Sequence, residues 1–340
     1  MLKKADNNSL NQSMSMPSSA PHPEENRKTH SFSRRQVLFK TFIAGGIAGC
    51  VAKTTVAPLD RVKILLQAHN QHYKNLGVFS TISQVVKKEG VLGLYKGNGV
   101  QMLRIFPYAS IQFMTYEQYK NVTRKFIGNH PHLIKLLAGS MAGLTAVLFT
   151  YPLDVARARL AFQVKGEHFY LGFVDVFKSM IYDEGGHRAL YRGIVPSVLG
   201  MAPYAGLSFY SFETLKKMCL DSFPELCGKP CPQNTGGLVL ILPAKLICGG
   251  LAGAAAQSFA YPLDVVRRRL QLSIMLPDSH KYNRGWFNTL ILIYKEDGIV
   301  HGLYRGLSVN YIRVMPMVAV SFSTYELTKQ LFGLDTGVDS

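Results

Sequence analysis

One unit is written three times in this chain, and that repetition limits the fold more than any other feature. Aligned on Pro58, Pro152 and Pro262, each copy carries an aspartate two residues later (Asp60, Asp154, Asp264) and a cation five residues later (Lys63, Arg157, Arg267). A pair of glycines precedes each proline at matching distances: Gly45 and Gly49, Gly139 and Gly143, Gly249 and Gly253. Farther on come an acidic-glycine pair (Glu89-Gly90, Glu184-Gly185, Asp297-Gly298) and an aromatic-cation-glycine triplet ending at Gly97, Gly193 and Gly306. Ten residues beyond each triplet stands a second proline: Pro107, Pro203, Pro316. Each copy closes on aromatic-Glu-x-x-Lys, which supplies Glu117 with Lys120, Glu213 with Lys216 and Glu326 with Lys329.

Each copy also holds two long, weakly polar runs, roughly 40–58 and 98–119, 134–152 and 193–215, 244–262 and 306–328. Every run is near the ~20 residues a helix needs to cross a bilayer. A chain that is 47% hydrophobic and 17% charged suits membrane helices with one lipid face and one polar face. The expected fold class is therefore an all-α membrane protein: six transmembrane helices in three pseudo-symmetric repeats around a central cavity. An even number of spans per copy sets all three the same way up, related by rotation about the membrane normal. Between the runs, Val78, Ile82, Val85 and Val86 recur at helical spacing and predict a short amphipathic surface helix.

The expected layout is a tail at 1–36, repeats at 37–129, 130–222 and 242–332, a loop at 223–241 and a C-terminal tail at 333–340. The N-terminal tail is Asn, Ser, Pro and charge without an apolar core, and reads as disordered. It has no secretory segment, and Asp6, Glu24 and Glu25 argue against an acid-poor transit peptide.

Aspartate and cation three residues apart share a helix face. Three kinked helices converging on a common axis would pair them around a ring: Asp60 with Arg157, Asp154 with Arg267, Asp264 with Lys63. A second ring would join Glu117 with Lys216, Glu213 with Lys329 and Glu326 with Lys120. Buried ion pairs contribute little net stability because desolvation offsets their attraction, which suits a latch. The plainer reading is interfacial charge that fixes topology. The glycine pairs are expected to let neighbouring helices approach closely.

Positions where the copies differ must fit an asymmetric solute. Three residues before the second proline the copies read Arg104, Gly200 and Arg313; five before the first they read Lys53, Val147 and Gln257. Just after the second proline stand Tyr108, Tyr204 and Met317. A charge near mid-membrane costs ~2.5–3.5 kcal/mol on insertion scales, so Lys53, Arg104 and Arg313 point to an anionic ligand. Arginine can hold its phosphate with two parallel hydrogen bonds. Gly200 leaves a notch beside Met201 for a flat ring, with Tyr204 stacking on it; helix packing is an equal reading for Met201 and the tyrosines.

The net charge of +17 agrees with anionic partners. No zinc-finger spacing, RNP string or basic heptad region appears, so no nucleic-acid partner is expected. No nucleophile-base set or metal cluster appears either, so neither an enzyme, a metal nor a cofactor is expected. The cysteines are Cys50, Cys219, Cys227, Cys231 and Cys248. Only Cys227 and Cys231 lie close in sequence, and without histidine neighbours they read as loop cysteines rather than a zinc site.

From residue 40 to 330, the thrice-written PLDxx[KR], acidic-Gly, Y[KR]G and aromatic-Glu-x-x-Lys pattern resembles the mitochondrial carrier family. The resemblance implies a monomeric, multi-pass protein of the inner mitochondrial membrane that works by alternating access. It makes the Asp60 ring a matrix-side gate and the Glu117 ring a cytosol-side gate. It also implies cardiolipin at Gly77, Gly172 and Gly285, where matrix helices start, and at Gly97, Gly193 and Gly306, where even-numbered spans start. Family contact positions fall on Arg104, the Gly200-Met201 pair and Arg313, with Lys53 matching a cavity lysine, as in carriers of adenine-containing solutes. Phrases such as RLAFQVKGEH and LGMAPYAG are similar to a branch implicated in coenzyme A supply. The implied cargo is coenzyme A, or a related small anionic adenine-containing solute, in exchange for adenine nucleotide. A general adenine nucleotide carrier (ADP/ATP or ATP-Mg/phosphate-like) is the alternative, and a non-transporting membrane scaffold is the alternative of another class.

Overall fold

The computed structural model describes residues 34–73, 76–127, 131–166, 170–230, 238–276 and 279–334. The first copy gives α1 (Arg34–Gln67), α2 (Val78–Glu89) and α3 (Asn98–Ile127). The second gives α4 (Pro131–Phe162), α5 (Phe173–Tyr182), α6 (His187–Leu190) and α7 (Ile194–Ser222). A short α8 (Pro224–Cys227) leads to the third copy, α9 (Leu242–Gln271), α10 (Trp286–Asp297) and α11 (Leu307–Leu331). Most of the expected N-terminal tail, positions 1–33, lies outside the described residues; α1 starts at Arg34, inside the span read as tail. Most of the C-terminal tail, from 335 on, lies outside them too.

All six landmark prolines sit inside unbroken helices. Each removes one backbone donor, which a membrane helix tolerates when neighbouring groups satisfy the freed carbonyl. Of the six long helices, α1, α4 and α9 are apolar enough by composition alone to cross a membrane. Helices α3, α7 and α11 are each somewhat shorter than the first long helix of their own copy; α3 and α11 carry Arg104 and Arg313, and all three carry the Glu-x-x-Lys charges.

The long helices form a closed ring in the order α1, α3, α4, α7, α9, α11, with α11 returning to α1. The most extensive contacts run between copies: α3 with α4, α7 with α9, α1 with α11. Helices α1, α4 and α9 also touch one another across the ring. Large apolar side chains such as Phe113, Phe149, Phe209, Phe259 and Phe322 are exposed on the long helices, as a lipid-facing surface requires.

The close-packed seam differs from the sequence expectation. Next to Gly45, Gly139, Gly143 and Gly253 an added Cβ would meet open space. Alanines one position earlier are buried instead: Ala44, Ala48 and Ala52; Ala138, Ala142 and Ala146; Ala252 and Ala256. At a four-residue period these fall on one stripe, and alanine is small enough for close helix approach. In the first copy, Gly46 and Gly49 face Phe106 and Ile105, so glycine packing survives there in part.

The main core lies at the C-terminal ends of α1, α4 and α9, where Leu65, Tyr73, Val85, Tyr151, Val176 and Met180 pack together. Ile82 and Val86 lean on the same cluster, so the apolar face predicted for α2 is the face it buries. A small antiparallel hairpin, β1 (Gly228–Pro230) with β2 (Leu238–Leu240), departs from the all-helical expectation within the loop between the second and third copies.

Candidate gates and solute site

The three ring pairs expected from helical spacing are formed. Arg157 Nη2 donates to Asp60 Oδ2 at 2.6 Å, Arg267 Nη2 to Asp154 Oδ2 at 2.5 Å, and Lys63 Nζ to Asp264 Oδ2 at 2.8 Å. Each pair joins two copies, so the ring ties α1, α4 and α9 into one closed end. Two glutamines brace it: Gln67 Nε2 reaches Asp264 Oδ2 at 3.2 Å and Gln271 Nε2 reaches Asp154 Oδ2 at 3.0 Å. Each also donates to a tyrosine hydroxyl, of Tyr261 or Tyr151, at 3.1 Å. The glutamines occupy the ninth position after the proline in copies one and three, where copy two has Ala161, and that broken pattern hid them in the sequence.

Two cations read as free for a ligand are engaged with the ring instead. Arg104 Nη1 donates to Asp154 Oδ1 at 3.0 Å and Arg313 Nη1 to Asp60 Oδ1 at 2.5 Å. Both lie on helices preceding the second proline, close enough to the ring for a long guanidinium to reach the oxygen that Arg157 or Arg267 leaves free. Asp264 has no such partner, because the third matching position is Gly200. Arg104 also lies over the Tyr108 ring, 5.5 Å from its centroid.

Lys53 stays apart from this network: Nζ lies 3.3 Å from Met317 Sδ, and no carboxylate among the described residues lies in ion-pair range. A Cβ on Gly200 would sit 3.7 Å from Leu263, an ordinary contact, so the notch is shallow and bounded by α9. Met201 packs partly against the main core, which favours the packing reading for it. Tyr204 is 39% exposed and free to meet a solute.

At the other end of the bundle the cross-copy pairs are not formed. Glu117 pairs with Lys120 at 3.8 Å and Glu213 with Lys216 at 3.6 Å, each within its own helix, with Glu117 53% and Glu213 57% exposed. The bundle is thus shut by the Asp60 ring and open at the Glu117 ring, as a structure caught on one side of an alternating cycle would be.

An outer ring surrounds the closed end, and sequence reasoning missed it. The acid of each acidic-glycine pair holds a buried arginine: Arg61 with Glu89 at 2.9 Å, Arg159 with Glu184 at 2.5 Å, Arg269 with Asp297 at 2.7 Å. Each arginine then caps the next copy's helix C-terminus, donating from Nε to Ala161 O at 3.1 Å, Gln271 O at 3.4 Å and Gln67 O at 3.1 Å. Those carbonyls have no partner within their own helix, so the arginines satisfy them and complement the helix dipole. Tyr170 joins Arg159 and Glu184 at 3.0 Å each, and burial, with Glu184, pushes its hydroxyl up to about 12.

The six glycines expected at helix starts all stand there. Gly193 and Gly285, on neighbouring copies, line one cavity of about 270 Å³ together with Arg192, Ser273, Tyr282 and Trp286. The triplet glycines also have a conformational reason. Gly97 and Gly193 have φ near +80°, and a Cβ there would meet the carbonyl oxygen of Arg157 or Arg267 at 2.9 Å. Any other residue would push α3 or α7 off the backbone that carries a gate cation.

The comparisons with known proteins agree with this architecture. The family described as "Mitochondrial carrier protein" matches three times, over residues 34–126, 128–223 and 240–336. "Solute carrier family 25 member 16" of Bos taurus is 57% identical over 296 residues, covering 87% of this chain and 89% of that protein. "Mitochondrial carrier protein CoAc1" of Zea mays is 44% identical over 318 residues, 88% of each. "Mitochondrial coenzyme A transporter SLC25A42" of Danio rerio is 40% identical over 317 residues, 92% of each. With three repeats in register and relatives matched along most of their length, this chain belongs to the mitochondrial carrier family.

Proposed function

We propose that this carrier moves coenzyme A, or a closely related adenine-containing phosphorylated solute, in exchange for adenine nucleotide. As a family member the chain is a multi-pass solute carrier of the mitochondrial inner membrane. The observation that carries the cargo reading is the surplus of cations around the Asp60 ring. Lys63, Arg157 and Arg267 already match Asp60, Asp154 and Asp264 one to one; Arg104, Arg313 and Lys53 are additional. Excess positive charge at membrane depth is costly unless an anion completes it. Phosphate groups fit Lys53, Arg104 and Arg313, while Gly200 and Tyr204 leave room for a flat base. The names of the maize and zebrafish relatives point to the same cargo.

In this reading the solute also unlocks the gate. A phosphate that draws Arg104 from Asp154 and Arg313 from Asp60 removes one cation from each carboxylate, so binding and loosening are one event. Cardiolipin would hold the glycine-capped helix starts, Gly77 with Gly306, Gly172 with Gly97 and Gly285 with Gly193, through backbone N–H groups.

A thermal-shift series on purified protein with coenzyme A, dephospho-coenzyme A, 3′,5′-ADP, ADP and ATP tests the cargo. A ligand at 100 times its Kd adds about 2.7 kcal/mol by mass action. Coenzyme A is expected to raise the melting temperature most, and Lys53→Ala is expected to abolish the rise. A larger rise with ATP or ADP would favour the general adenine nucleotide carrier; a rise with none of them would remove the cargo assignment.

A further inference from the structure

We propose that Cys219 and Cys248 are a redox-reactive pair which a low-molecular-weight disulfide such as glutathione disulfide converts into a covalent staple between α7 and α9. Their sulfurs lie 3.5 Å apart, across the boundary between the second and third copies. Both are free thiols in this structure. A disulfide needs about 2.05 Å between sulfurs, and small rotations about the two Cα–Cβ bonds cover the difference.

The surroundings explain the closeness. Cys248 is 2% exposed and continues the small-residue stripe of α9, with Ala244, Ala252 and Ala256 at four-residue spacing. Along that stripe the backbones of α7 and α9 approach closely, which brings Cys219 within reach. Cys219 is only partly buried, near the end of α7, so a small oxidant can reach it. Cys227, at the foot of the β1–β2 hairpin, packs in the same cluster and is the competing third thiol among the described residues; Cys231 lies outside them.

The chemistry balances as two exchanges. The Cys219 thiolate attacks glutathione disulfide, forming a mixed disulfide and releasing one glutathione thiolate. The Cys248 thiolate then attacks the Cys219 sulfur, forming the staple and releasing the second glutathione. Two cysteine thiols are oxidised, one disulfide is reduced to two thiols, and the two protons pass to the departing thiolates.

The place of the staple gives it a consequence, which rests on the gate reading. Cys219 lies one helical turn beyond Lys216, at the open end of the bundle. Closing that end requires Glu213 to leave Lys216 and reach across to α11. A covalent tie to α9 one turn away holds α7 in its present position and opposes that movement.

The test uses the full chain and no transported solute, so it cannot fail with the cargo assignment. Purified protein is equilibrated with glutathione at graded disulfide-to-thiol ratios, blocked with N-ethylmaleimide, digested and analysed by mass spectrometry. The expected result is a Cys219–Cys248 linked peptide that disappears on reduction with dithiothreitol, with a melting temperature several degrees higher in the oxidised sample. Cys248→Ala, which extends the alanine stripe, is expected to fold normally and lose both the link and the oxidant-dependent rise; Cys227→Ala is expected to keep both. Linkage of Cys219 to Cys227, glutathione left on Cys219 without a second bond, or an undiminished rise in Cys248→Ala would overturn the proposal.

Discussion

His69 shows how much one side chain just past a membrane helix can depend on its charge state. Its backbone φ is +52°, and its ring is wedged between copies one and three. Nδ1 lies 3.1 Å from Asp297 Oδ1, and Nε2 lies 2.8 Å from Arg305 Nη1 and 3.0 Å from His301 O. A neutral ring satisfies the two charged neighbours, donating from Nδ1 to Asp297 and accepting at Nε2 from Arg305. A protonated ring could donate from Nε2 to His301 O but would set its N–H against the Arg305 guanidinium at the same nitrogen. Burial first, then Arg269 and Arg305, outweigh Asp297 and the His301 carbonyl and push His69 down from its ordinary 6.5 to about 4. The unfolded chain therefore takes up a proton below about pH 6.5 that the folded chain refuses until about pH 4. Stability linked to His69 is complete above that window and is lost as pH falls through it. His69→Asn tolerates the positive φ and does not titrate. The difference in melting temperature between wild type and variant, measured in detergent, is expected to be constant from pH 8 to about 7 and to shift in the variant's favour as pH falls toward about 5. A difference that stays constant down to pH 5 would show that the ring is not held neutral.

At the scale of the helix, the outer arginine ring does what the inner ring alone cannot. Within each copy an arginine is held by the acid near α2, α5 or α10, and the same guanidinium reaches the C-terminus of the next copy's long helix, so an intra-copy ion pair positions each inter-copy backbone cap. Arg159 is fully buried, and Glu184 is its only carboxylate partner among the described residues. Removing that charge leaves a guanidinium in a site it cannot leave, which costs about 3–5 kcal/mol. Glu184→Gln keeps the shape and is expected to lower the melting temperature well below that of Glu296→Gln, whose surface pair with Lys281 contributes at most about 1 kcal/mol. Equal melting temperatures for the two variants would show that Arg159 relaxes into water.

The same element explains what the sequence could and could not disclose. The inner ring was legible because Asp and cation recur at one register in every copy, and helical geometry fixes which face they share. The outer ring was not, because its arginine stands seven residues after the proline in copies two and three (Arg159, Arg269) but three after it in copy one (Arg61). A repeat search sees the fixed acid and loses its drifting partner. Arg104 and Arg313 stood out as charges inside long apolar runs, but sequence cannot reveal that a long guanidinium there spans the step to Asp154 or Asp60. The alanine stripe was overlooked for a plainer reason: glycine pairs stand out to the eye, while burial is decided by which side of the helix faces its neighbour.

At the scale of the whole molecule, the proposed function makes the closed ring at one end and the separated charges at the other two halves of one exchange. Three copies set the same way up cannot close both ends at once without enclosing a solute, and cannot open both without leaking. The cations and carboxylates of Glu117, Lys120, Glu213, Lys216, Glu326 and Lys329 now sit beside partners on their own helices or in water, where exposed pairs contribute at most about 1 kcal/mol. They can therefore trade those partners at little cost when the Asp60 ring opens, which makes the second ring a matter of geometry rather than of strong bonds. Charge reversal separates this from a purely local role. Glu213→Lys places like charges where Glu213 and Lys329 would meet, and reconstituted vesicles are expected to take up coenzyme A or ADP at least about tenfold more slowly, since 1.4 kcal/mol of lost closed state suffices for that factor. Adding Lys329→Glu restores opposite signs in the reversed order and is expected to recover most of the rate. A pair that matters only within its own helix predicts otherwise: Glu213→Lys would be nearly silent, or the double variant would be no faster than the single one, and either outcome would exclude a ring that closes across copies.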